Sequence, residues 1–241
     1  DMYYMNPPAK DLSKIASSDK VKKVQKDFEA THVRPQRLMK TLFTDEAYVK
    51  ANVDEARLMR RLFDLACNMQ SHDTDMQLYS LFTDEECYDL WSCNNLYWYL
   101  THACSPVTDG LMPYREADLL RNILDRADAA LKEGKNQATL RFGHESCLLP
   151  LVALLELNHY GESYPDVEKL SEQWRAYDIF PMASNVQFVF FHKKGSNDVL
   201  VKVLLNEKEA KLPVKTDVAP YYHWKDVESY YREKLDKYQH I

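Results

Sequence analysis

Glycine is scarce in this chain: 5 residues in 241, against 16 Tyr, 9 Phe and 4 Trp. That balance excludes a Gly-rich barrel or a disordered tail and favours long helices around a well-filled interior. Cysteine is equally sparse. The five, at 67, 87, 93, 104 and 147, form an odd set without a C-x-x-C pair, so neither a disulfide framework nor a zinc ribbon is indicated and the thiols are read mainly as buried. No apolar run reaches the roughly 20 residues that span a bilayer. The longest, Leu148 to Leu157, contains Pro150 and stops at Asn158. Positive charge is also short. A formal net charge of -6 leaves no basic surface to hold nucleic acid or an acidic membrane. Internal repeats and low-complexity tracts are missing, as is an initiator Met or a charged and apolar leader ahead of Asp1. The chain is expected to start inside a domain, with any targeting signal out of view.

With 45% hydrophobic residues there is ample material for a core. Asp1 to Met5 reads as a short buried strand, broken by Pro7 and Pro8, and the pattern is then helical to about Glu133. Leu58, Leu62, Leu65 and Met69, with Met59, Phe63 and Ala66 beside them, repeat at helical spacing, with Arg57, Arg60, Arg61 and Asp64 towards the rim. Thr83-Asp84-Glu85-Glu86 fits a capping box and predicts a helix from Asp84. A further helix runs from about Tyr114 to Lys132 with Gly134 as its left-handed terminator.

Beyond Gly134 the pattern changes. Ala138 to Gly143 reads as a short strand, followed by a tight turn at His144-Glu145-Ser146 and an apolar helix from Cys147 to Leu157, with Pro150 in its first turn. Asn185 to Lys193 and Val199 to Leu212 read as a hairpin across a turn-rich loop. Trp224 to Tyr238 reads as an amphipathic helix laid on the sheet. The expected domains are 1–12, a strand of an α/β unit; 13–136, helical; and 137–241, the later part of the α/β unit.

Chemistry concentrates at one turn. A His and a carboxylate at the end of a strand stand where open α/β sheets gather ligands. The helix that follows aims free N–H groups and its positive end at the same place, which favours an anion.

The run LRFGHESCLLPLVALLEL, from Leu140 to Leu157, resembles the distal active-site segment of histidine acid phosphatases, in particular the inositol polyphosphate phosphatases. The likeness extends to DGLMPYREADLLRNIL, from Asp109 to Leu124, and to the segment from Pro181 to Pro213. It implies a mixed α/β, phosphoglycerate mutase-like fold with a largely helical insertion. It also implies hydrolysis of phosphomonoesters such as phytate through a phosphohistidine, without metal or organic cofactor. His144 then helps hold the phosphoryl oxygens and Glu145 protonates the leaving alkoxide. The family usually has Asp directly after the His, or Glu one residue later, where this chain has Ser146. The nucleophile of the family lies in an R-H-G-x-R-x-P motif, and none of the eight His residues here has that context. The resemblance therefore implies a partner segment of the same protein that carries it, a small phosphorylated substrate, and a periplasmic or secreted location. This segment alone is expected to be inert. The rival reading is a noncatalytic binding or structural domain that kept the fold.

Other groupings have plainer readings. His72, Asp73 and Asp75 suit a solvated loop better than a metal site. The lysines at 10, 14, 20, 22, 23 and 26 suit an exposed helix face, and Tyr88, Trp91, Tyr97, Trp98 and Tyr99 suit helix packing. Arg141 is expected to pair with a helix carboxylate.

Overall fold

The computed structural model describes residues 10–135 and 137–238; the strand expected at Asp1–Met5 lies outside the described residues. The fold is mixed α/β. Its helices are α1 (Lys10–Ala16), α2 (Asp19–His32), α3 (Gln36–Leu42), α4 (Glu46–Asn52), α5 (Glu55–Asn68), α6 (Asp84–His102), α7 (Ala117–Glu133), α8 (Glu145–Leu154), α9 (Leu170–Gln173), α10 (Ala176–Ile179) and α11 (Trp224–Lys237). One antiparallel sheet holds β1 (Val186–His192), β2 (Val199–Leu205), β3 (Lys208–Glu209) and β4 (Tyr222–His223), with β2 bonded to the other three. The chain divides into two compact units, Lys22–Tyr97 and the described residues on either side of it.

Lys22–Tyr97 is helical throughout. Its α4 and α5 each start on an aspartate whose carboxylate accepts an early N–H, Asp45 from Tyr48 and Asp54 from Arg57. The capping box at the head of α6 forms both ways, with Thr83 N–H donating to Glu86 Oε2 at 2.9 Å and Glu86 N–H to Thr83 Oγ1 at 3.2 Å. Apolar spacing puts Leu38, Met39, Val49, Met59, Ala66, Phe82 and Leu90 into one core. Each fully buried aliphatic there contributes about 1.5–3 kcal/mol by leaving water. On α5, Met59 and Ala66 are buried and Leu58, Leu62 and Phe63 pack against the same core, as the spacing predicts, while Leu65 is exposed.

In the second unit α7, α8 and α11 pack with the sheet around Leu120, Leu124, Leu149, Val152, Val201, Val203, Val227 and Leu235, all fully buried. Gly134 ends α7 at φ 63, the left-handed cap expected of it. The expected hairpin is β1–β2, in register from Val186↔Leu205 to His192↔Val199. The second strand does not run on to Leu212. It turns back at Asn206 (φ 51) and Glu207 (φ 66), a pair of left-handed residues that makes a two-residue hairpin turn into β3. Asn206 holds that turn by accepting from Asn185 N–H and donating to Ile179 O. The last helix packs on the sheet as expected, with Trp224 edge-on to Phe190 at 4.9 Å between centroids and its indole N–H on Asp128 of α7.

His223, on β4, faces carboxylates with both ring nitrogens: Nδ1 is 3.0 Å from Asp198 Oδ2 and Nε2 is 3.0 Å from Asp217 Oδ1. A neutral imidazole donates from one nitrogen only, so two acceptors require the imidazolium. The bonds to Asp198 and then Asp217 raise the His223 pKa above 6.5, and the bond from His223 lowers that of Asp217 below 3.8. A raised histidine value makes this stabilisation complete below about 6.5 and lost as pH climbs through the folded value; a lowered aspartate value makes it fade again below about 3.8. Thermal unfolding of wild type and His223→Gln should differ most between those limits, wild type higher, and converge at alkaline pH. Parallel curves throughout would rule the clamp out.

Candidate active site

Helix α8 is apolar on every side. Leu149 to Leu154 are all buried, and Leu155 and Leu157 beyond it are fully so. Its C-terminal carbonyls are satisfied within the unit, Leu154 O by Lys234 Nζ and Leu155 O by Tyr231 Oη, each at 2.7 Å. The ammonium also pairs with Glu156 at 3.2 Å, a cation placed where the helix dipole favours one. Packing on all sides and anchored at its C-terminus, the helix presents its N-terminus to solvent.

That end carries the residues singled out in the sequence. His144 is the N-cap, with extended backbone (φ -107, ψ 163), and its carbonyl accepts from Cys147 N–H at 3.0 Å and Leu148 N–H at 3.1 Å. The helix starts at Glu145, two residues before the expected Cys147. The N–H groups of Glu145 and Ser146 have no backbone acceptor among the described residues, as the first turn of a helix requires. Both His144 and Glu145 are exposed, and neither side chain has a hydrogen-bond or ion-pair partner among the described residues. An imidazole, a carboxylate and two free N–H groups thus share one exposed helix end, a combination able to bind an anion and donate a proton beside it.

Three expectations need correcting here. Pro150 is the sixth residue of α8 and lies inside it, so it takes the N–H that would have bonded Ser146 O out of the ladder. Residues 137–143 form no strand: the segment is exposed and has no ladder partner among the described residues. A β-strand needs a neighbour for its N–H and C=O groups, and the β-forming composition of Ala138 to Phe142 alone does not supply one. The five thiols are partly rather than fully buried, and all are free.

Leu140 and Phe142 alternate along the unpaired segment at 76% and 78% exposure. Arg141 donates to Asn122 Oδ1 on α7 at 2.8 Å. His72 lies 3.1 Å from Asn68 Nδ2, and no group of three or more metal-binding side chains occurs among the described residues. A cavity of about 560 Å³ opens at the other end of α8, lined by Cys104, Tyr114, Leu154, Glu156, Ser163 and Lys234 among others. His144 and Glu145 do not line it.

Sequence reasoning passed over Glu116. It closes the 3-10 turn Met112–Glu116 just before α7, is 4% exposed, and has a buried Oε2 with no hydrogen-bond partner. Burial, opposed by Arg115 and the Cys147 thiol, pushes its carboxyl up to about 7. In the amino-acid string it is one acidic residue among many, and only its burial sets it apart.

Residues 2–206 match the histidine phosphatase superfamily (branch 2), and the chain belongs to that family. Multiple inositol polyphosphate phosphatase 1 of Homo sapiens is 28% identical over 134 residues, which is 50% of this chain and 27% of that protein. A Bifidobacterium longum multiple inositol polyphosphate phosphatase shares the fold in two crystal structures. Its phosphate complex has a TM-score of 0.64 at 19% identity, covering 97% of this chain and 57% of that one. Its inositol hexasulfate complex has a TM-score of 0.61 at 18% identity, covering 94% and 55%. The chain therefore spans just over half the length of these solved relatives and about a quarter of the human protein.

On the reading proposed below, in which this chain is part of a longer protein that supplies residues 137–143 with a neighbour, the cost of a change at Phe142 depends on context. Phe142→Ser should alter the unfolding free energy of this chain by less than about 0.5 kcal/mol, as at other exposed sites, and cost about 3 kcal/mol or more in the full-length protein. Equal small effects in both, measured by denaturant unfolding, would mean that the segment stays unpaired.

Proposed function

We infer that the full-length protein hydrolyses phosphomonoesters, with inositol polyphosphates as the substrate class, and that this chain supplies the distal half of its active site. Membership of the family supports the reaction type, and the human and bacterial relatives support the substrate class. The observation that carries the reading is the junction at His144: an unpartnered imidazole and carboxylate on the one exposed end of a helix otherwise buried on all sides.

In this mechanism a histidine outside the chain attacks phosphorus and becomes phosphorylated, and water then releases inorganic phosphate. Splitting the displacement lets each step use an oriented nucleophile. His144 and the free N–H groups of Glu145 and Ser146 bind the non-bridging oxygens, whose negative charge the helix end favours. Glu145 gives its proton to the departing ester oxygen, which is too basic to leave unaided, and takes one from water in the second step. Being one methylene longer than Asp, it reaches forward from the first helical position even though Ser146 holds the place where relatives usually carry Glu. Export to the periplasm or beyond completes the reading. None of the described helices is long and apolar enough to cross a membrane.

Loss of the donor should hurt most where the leaving group most needs a proton. In the full-length protein Glu145→Gln is expected to lower kcat on an alkyl phosphate by about 100-fold or more, and on an aryl phosphate with an acidic phenol far less. Equal losses on both would remove Glu145 from the donor role.

A further inference from the structure

The exposed end of α8 is backed by a single buried acid. Glu116 sits on the 3-10 turn packed against α8, and its carboxyl interacts with the thiol of Cys147, one residue of the helix's first turn. Cys147 N–H in turn donates to the carbonyl of His144 at 3.0 Å. The acid thus meets the first turn of α8, the turn that also presents the imidazole, through Cys147. With 4% exposure and an unpartnered Oε2, it has no water to spread its charge once ionised. Arg115, on its own turn, and Cys147, on α8, are the groups that act on it among the described residues.

We propose that Glu116 is a positioning residue that sets the anion affinity of the site according to its own protonation: neutral, it leaves the positive end of α8 free for a phosphoryl group, and ionised, it cancels that end from behind. The inference deepens the phosphatase reading, because the anion it regulates is the one bound at His144. Two carboxyl states differ by one full charge, roughly twice the half charge at a helix terminus, so ionisation outweighs the dipole it faces. Because burial holds this carboxyl near 7, well above an ordinary glutamate, the change of state falls close to neutrality. Anion binding is then strong in acid and weakens as pH rises through neutrality.

The test uses the full-length protein and inorganic sulfate, whose charge is constant across the range, with binding measured by calorimetry. The wild-type Kd should rise roughly threefold to tenfold between about pH 6 and about pH 8, and in Glu116→Gln, which cannot ionise, that step should vanish. Other titrating groups contribute alike to both proteins, so the difference between them reads Glu116. Cys147→Ala removes a contact that favours the ionised form and should move the step to higher pH, which a merely structural role for Glu116 would not do. The same step in Glu116→Gln as in wild type, or no shift in Cys147→Ala, would overturn the proposal. Turnover is assayed separately: a protein that shows the step but hydrolyses no phosphomonoester would support the gate and defeat the catalytic reading.

Discussion

A helix that is apolar on all sides can offer a polar ligand only its ends, and that constraint organises the unit around α8. Burial of Leu149 to Leu154 fixes the axis, and Lys234 and Tyr231 tie down the carbonyls that follow. What remains is the N-terminus, with its donors and its positive end. No lateral face is left on which a catalytic stripe could be built. In the proposed phosphatase reading the chemistry therefore sits at the junction where the chain enters the helix, where His144 and Glu145 stand.

The same constraint explains why the cavity and the candidate site are separate. The cavity lies by Ala153, Leu154 and Glu156, at the negative end of α8, where Lys234 already meets the carbonyls and Glu156 accepts from Tyr230 Oη. An anion there would face the wrong pole of the helix and a carboxylate as well. Volume favours that end and electrostatics the other. For a phosphorylated ligand the charge decides, since a buried or half-buried phosphate needs donors before it needs space.

Elements whose causes are local were legible in the sequence. The capping box at Thr83, the Gly134 terminator, the β1–β2 hairpin and the helix from Trp224 each rest on residues close in sequence, and each stands where the pattern places it apart from the second strand, which ends at Leu205. Elements that depend on distant partners were not. Ala138 to Phe142 has the composition of a strand, but composition cannot say whether a neighbouring strand lies beside it. On α5 the spacing marks the apolar face, but only the packed unit decides that Leu65 stays exposed while its neighbour Ala66 is buried. As candidates, His144 and Glu145 stand out by the flanking run Leu140 to Leu157 that carries the resemblance. Glu116 does not, because a buried acid and an exposed one are spelled alike.

The place of the carboxylate in the turn bears on what the site can do. Successive residues of a helix point about 100° apart, so a Glu at the first helical position and a Glu at the second aim at different parts of a bound phosphoryl group. At the first position the side chain is the more exposed of the two; Ser146, at the second, is partly buried. A donor set farther out meets a leaving group that projects away from the helix end, as the ring of a bulky polyphosphate would. It also frees the second position for a small hydroxyl, which leaves the N–H groups beneath it open to the phosphoryl oxygens. The shift from the family's usual arrangement is thus compatible with proton donation. In the proposed mechanism it changes the direction from which the leaving oxygen is approached, and with it the ester positions that would fit.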